Sequence, residues 1–244
     1  MTKSIKSILK EIKTFFEENQ NSELVKKYSR FFSEGYDAYG INQKLFEEKR
    51  KELVDNYRAL LGIEGFLELG TELVKTGKYE DASLAVTFPL FFKDELKKGH
   101  LKIFGSWLEN GICNWAHVDI FCGEVMKIML KENIIKSDDI SKWRSSKSKW
   151  MRRAVPVSLL NVLKTEKNYK ELLKFVTPLM HDEERVVHQG IGWFLREAWK
   201  IKPKPVESFL LKYKDSAPRL IFQYATEKMT KEEKLRFKAE KKKK

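Results

Sequence analysis

Three short segments hold residues whose types and spacing could do chemistry. In the run from Asn114 to Asp119, NWAHVD, Asn114 is a good helix cap. Trp115 would then open a helix, and Asp119 would lie one turn on, on the same face. A helix start normally needs only an apolar core residue there, so an indole beside a carboxylate stands out; the plain alternative is a core Trp with a polar neighbour. In SKSKWMRRAVPVSLL, Trp150, Arg152 and Arg153 sit at the start of an apolar helix. Cations there oppose the helix dipole, so a carboxylate or a phosphate must hold them. In VVHQGIGWFLREAWK, Gly190 and Gly192 interrupt a strong helical pattern. Glycines so placed signal close backbone approach, to a neighbouring helix or to a ligand. Trp193 and Arg196 are three residues apart, hence on one face, and offer a flat apolar surface beside a phosphate-binding cation.

Common alternatives are missing. The chain has no GxGxxG, P-loop, HExxH or GxSxG motif. Cys113 and His117 have a metal-like spacing, but two ligands do not make a zinc site and Cys122 is out of phase, so no metal and no cofactor are expected.

The elements that must position these residues are helices. Ile5, Ile8, Leu9, Ile12, Phe15 and Phe16 make one apolar helix face, and Asn21-Ser22 can cap a second helix carrying Leu24, Val25, Tyr28, Phe31 and Phe32. After the loop GYDAYGIN, Asn42 caps a third helix through Leu45, Phe46, Leu53 and Val54. Helical spacing continues at 63–76, 79–92, 94–109, 115–132, 138–145, 148–166, 169–180, 183–200, 204–214, 216–229 and 230–240, with short breaks between and no clear strand. The expected fold is all-α: a HEAT-like helical-repeat solenoid with a concave basic surface, since basic residues recur beside the breaks. An irregular bundle with a Lys-rich coat is the alternative. Residues 1–230 would form one domain and residues 231–244 a frayed basic tail ending in four lysines.

Composition narrows the partner. The 244 residues carry 48 Lys plus Arg against 35 Asp plus Glu, a formal charge of +13, which points to a polyanion. The apolar runs are short and broken by charges, so no membrane span is expected, and Lys and Glu interrupt any signal-peptide core near the start. Two cysteines are too few for a disulfide framework and suit a reducing cytoplasm.

Taken in order, KYSRFF, YGINQKLFEEKR, GSWLENGICNWAHVD, WMRRAV and IGWFLRE resemble the DNA alkylation repair glycosylases with HEAT-like repeats, the AlkD family. The likeness covers most of the chain. The family carries a Trp and an Asp four apart, an Arg opening a later helix and a Trp after an Ile-Gly pair, which fall here on Trp115, Asp119, Arg153 and Trp193. A tyrosine on the second helix corresponds to Tyr28. Asn114 and Ala116 depart from the bulkier or acidic residues common beside the family's Trp.

The resemblance implies a monomeric DNA glycosylase acting in base excision repair, bound to double-stranded DNA in the cytoplasm and associated with the nucleoid. Its substrates would be cationic N3- and N7-alkylated purines such as 3-methyladenine and 7-methylguanine. Such a base leaves neutral, so the protonation that other glycosidases supply with a second carboxyl is already done by the alkyl group. Asp119 would then stabilise the oxocarbenium charge and position water. Trp115 and Trp193 would pack on the sugar and backbone, Arg153 would clamp a phosphate, and Arg152, Arg196 and Tyr28 would add DNA contacts. The base would stay stacked rather than be flipped out. Two other readings stand beside this one: a non-catalytic relative that binds branched or distorted DNA, and a HEAT-like scaffold for an acidic protein.

Overall fold

Ile5, Ile8, Ile12 and Phe16 are all buried, which gives the first helix, α1 (Lys3–Glu18), one face in a core and the other in water. The computed structural model describes residues 3–240. The terminal lysines of the expected tail, at 241–244, lie outside the described residues. The described residues contain no strand, so the all-helical expectation holds. They fall into two compact units, Met1–Met129 and Leu130–Lys244.

In the first unit α1 is followed by α2 (Ser22–Ser29), α3 (Gln43–Val74), α4 (Tyr79–Thr87), α5 (His100–Asn110) and α6 (Trp115–Lys131), which runs just past the boundary. The caps are where the sequence places them: Asn21 accepts from the amides of Glu23 and Leu24, and Asn42 from that of Lys44. α3 is longer than expected because the two predicted helices run together across a kink at Gly62, whose φ is +54°. The predicted helix 79–92 is shorter. Pro89 has no N–H to bond the Ala85 carbonyl one turn earlier, and the chain tightens into a 3₁₀ stretch at Phe88–Glu95.

α3 is the spine of this unit, packing against α1, α4, α5 and the 3₁₀ stretch. Phe66 meets Phe88 at 4.9 Å and Phe104 meets Phe121 at 5.2 Å, all four rings buried. Each such burial stabilises by about 1.5–3 kcal/mol. One buried cation joins α1 to α3: Lys49 Nζ lies 2.7 Å from Glu11 and 2.9 Å from Glu52, while Tyr57 donates to Glu11 at 2.5 Å. Burial pushes the Glu11 carboxyl up, but the bonds from Lys49 and Tyr57 together outweigh it and hold it below its ordinary value.

The second unit contains the 3₁₀ stretch Ser137–Ser145, α7 (Lys149–Leu159), α8 (Tyr169–Val176), a short 3₁₀ turn at Thr177–His181, α9 (Arg185–Ile201), α10 (Pro203–Tyr213), α11 (Arg219–Ala225) and α12 (Lys231–Leu235). α9 is its hub, packed on α7, α10 and α11 with Val187, Ile191, Phe194, Leu195 and Ala198 buried. α7 accommodates Pro156 inside it and stops at Leu159, short of the predicted 166. Beyond α12, Phe237 is buried, Arg236 pairs with Glu207 at 3.0 Å and Lys214 with Glu240 at 2.6 Å.

Candidate functional site

Trp115 and Asp119 lie in the first turns of α6, one turn apart as the spacing requires. Asn114 is buried and its side chain accepts from the Ala116 amide at 2.7 Å, which starts the helix at Trp115. The indole is not a core residue: it is 39% exposed. One face stacks on Phe32, with centroids 5.6 Å apart and planes 29° apart, and its Nε1–H donates to the Phe31 carbonyl at 3.3 Å. Asp119 is half-buried.

The partners of Trp115 come from the segment 30–42 between α2 and α3. Phe32, Tyr36 and Tyr79 form a run of touching rings: Phe32 and Tyr36 stack at 4.7 Å, and Tyr36 meets Tyr79 at 5.0 Å. Burial first, then the Glu80 carboxylate and the phenols of Tyr79 and Tyr28, raise the Tyr36 phenol above its ordinary value. Tyr28 is 38% exposed, with Lys27 Nζ 5.3 Å from its ring centre, and Phe31 is 54% exposed under the Arg30 guanidinium at 4.8 Å. The result is an exposed aromatic surface, carrying cations, around Trp115.

This segment has no regular structure, so something must hold it. Glu80, in the first turn of α4, does so: its buried carboxylate accepts from the backbone amides of Tyr39 (2.9 Å), Gly40 (2.8 Å) and Ile41 (3.1 Å). The chain bends at Gly40, φ +77°, where a Cβ would collide with the Asn21 carbonyl oxygen. Sequence reasoning missed Glu80. An acidic residue in a first helical turn reads as a partner of the helix dipole, and nothing local shows that it reaches a segment some forty residues upstream.

His117, between Trp115 and Asp119, is wholly buried rather than available to a ligand. Its Nε2 lies 3.0 Å from both the Tyr79 carbonyl oxygen and Ser83 Oγ. A carbonyl can only accept, so the proton sits on Nε2. Nδ1 is buried with no hydrogen-bond partner. Burial pushes the imidazole down to about 4, against a smaller opposite effect of the Tyr79 carbonyl. Cys113 is exposed and Cys122 buried.

The other expected site residues belong to the second unit. Arg152 is held by protein: Nε and Nη2 meet the Asp182 carboxylate at 2.6 and 3.1 Å, and Nη1 donates to the carbonyls of Ser146 and Lys147. Arg153 is buried at 5% exposure and donates to the Val186 carbonyl at 2.6 Å. Trp193 is half-buried on α9. Arg196 donates to Glu197 at 2.9 Å and pairs with Glu227. The two glycines serve helix packing. A Cβ on Gly190 would touch Arg153 and Pro156 of α7, and one on Gly192 would press into Tyr224 and sit 2.8 Å from the Ile221 carbonyl of α11. Tyr28, Trp115 and Asp119 thus share one unit, and Arg152, Arg153, Trp193 and Arg196 the other.

Residues 12–229, most of the chain, match the sequence model of a family described as DNA alkylation repair enzyme. The chain belongs to the DNA alkylation repair enzyme family. A solved structure described as a predicted DNA alkylation repair enzyme from Enterococcus faecalis shares the fold, with a TM-score of 0.70 at 18% identity, covering 87% of this chain and 98% of that one. A comparison with curated proteins returned no match.

Proposed function

We propose that the protein is a DNA glycosylase that hydrolyses the N-glycosidic bond of cationic N3- and N7-alkylated purines in duplex DNA. The observation that carries this reading is the Trp115–Asp119 pair on α6, with the indole 39% exposed, in a chain of the alkylation repair family. The alkylated base already carries the positive charge that makes it a good leaving group. What remains is to stabilise the oxocarbenium character on the sugar and to deliver water, which one carboxylate can do.

In this reading Asp119 faces the sugar. Trp115 presents the indole face not covered by Phe32, whose electron-rich surface favours the cationic transition state. Trp193 packs on the lesion backbone. Arg153, buried and donating to the Val186 carbonyl, packs against Gly190 and orders α7 on α9; it reaches a phosphate only if DNA binding uncovers its guanidinium. Tyr28 adds an exposed ring beside Lys27. Arg152 and Arg196, whose guanidinium groups already bond protein partners, play a supporting part by ordering the start of α7 and the end of α9. The duplex is gripped by its backbone with the base left stacked, and selectivity follows the lability of the cationic bond. No described helix is long and apolar enough to cross a membrane.

Release of 3-methyladenine and 7-methylguanine from methylated duplex DNA tests this directly. The wild-type chain should release both and leave uracil untouched, and Asp119→Asn should slow release by about 100-fold or more. Full activity in that variant would remove Asp119 from its role. Salt-sensitive binding with no release would favour a non-catalytic DNA-binding relative instead.

A further inference from the structure

We infer that Glu80 is the positioning residue for Trp115, acting through the 30–42 segment. The inference rests on the catalytic reading of Trp115 given above. Glu80 is 5% exposed, and both its oxygens are in use: Oε2 accepts from Tyr39, Oε1 from Gly40 and Ile41. An ionised carboxylate is acceptor-only, so it can satisfy three converging amides; a carboxamide would turn its NH₂ toward donors.

Two more ties run from α4 to the same segment. The Tyr79 amide donates to the Asp37 carbonyl at 2.7 Å, and Lys78 Nζ lies 2.5 Å from the Asp37 carboxylate. The upstream part of the segment carries the two groups that hold the indole, the Phe31 carbonyl and the Phe32 ring. The start of α6 is anchored on α4 as well, through His117 on the Tyr79 carbonyl and Ser83. Trp115 therefore has its backbone and its ring fixed by one short stretch, residues 78–83 at the start of α4 and its cap, and Glu80 makes the most bonds from that stretch to the ring's side of the clamp. A loosened segment would leave the indole attached to α6 and free to turn about its side-chain torsions.

The test uses the full-length chain labelled with 5-fluorotryptophan, with the Trp115 resonance among the six tryptophans assigned by Trp115→Phe. Glu80→Gln should shift and broaden the Trp115 fluorine signal while the Trp107 signal, from the core of the same unit, stays in place. Single-turnover base release should fall about 10- to 100-fold, the scale on which small misplacements of a catalytic group act, with duplex affinity retained. An unmoved Trp115 signal in folded Glu80→Gln protein overturns the inference. So does a common shift of Trp107 and Trp115, which marks a merely structural role. Should Glu80→Gln fail to fold, Glu80→Asp keeps the charge but shortens its reach to the Tyr39, Gly40 and Ile41 amides, and an unmoved Trp115 signal there is equally decisive. If the wild type releases no base, the catalytic reading fails while the fluorine signals still decide whether Glu80 positions the ring.

Discussion

At the scale of single residues, environment separates side chains that the sequence treats alike. Arg152 and Arg153 are neighbours, yet one closes a bidentate pair with Asp182 and the other points its guanidinium into a buried place against the Val186 carbonyl. Asp182 is nearly buried at 6% side-chain exposure, so Arg152→Ala would leave its charge without that pair. We expect a loss of about 3 kcal/mol in urea unfolding and little change in the salt dependence of DNA binding. His117 makes a pH prediction. Its folded-state value is about 4 against 6.5 for the ordinary imidazole, because protonation would place a donor on the buried, partnerless Nδ1. As pH falls below 6.5 the unfolded chain takes up a proton that the folded chain refuses. The stability is therefore fully present above 6.5 and is lost progressively down to about 4, by about 3 kcal/mol in all. Asp81 acts in the opposite sense: burial raises its carboxyl to about 6, so folding gains as it protonates below that value. Subtracting the pH profile of His117→Gln from that of the wild type isolates the histidine, and a flat difference between pH 6.5 and 4 would contradict the assignment.

At the scale of elements, close packing decides what periodicity leaves open. Gly192 brings α9 onto α11 with no room for a methyl group beside the Ile221 carbonyl and Tyr224. Gly192→Ala should cost about 1–3 kcal/mol by thermal or chemical denaturation, because the obstacles are backbone and Cβ atoms that cannot swing away. The same substitution at Gly190, where the contacts are ordinary van der Waals distances, should cost less. The helix caps, the apolar stripe of α1 and the start of α6 at Trp115 were all legible, since each depends on residues within one turn. The ends of α4 and α7 were less so. There Pro89 takes away the amide that would continue α4, which spacing alone does not register, and α7 ends at Leu159 although its apolar spacing runs on.

At the scale of the whole molecule, the charge of +13 is the property with a measurable reach. If duplex DNA is the partner, the logarithm of affinity should fall with the logarithm of salt with a slope of about −3 or steeper, about −0.9 for each phosphate neutralised. A slope near zero would instead favour a protein-binding scaffold. The sequence by itself determined the helical class, the basic character, the family and the start of α6 at Trp115 with Asp119 one turn on, because each is written in composition, in spacings within one turn or in short ordered motifs. Only the tertiary structure decided that Phe32 stacks on a half-exposed Trp115, which arginines are already engaged and that Glu80 grips the segment behind Trp115. Those facts depend on groups 30 to 84 residues apart in the chain meeting in space, and a one-dimensional pattern carries no signal for such meetings.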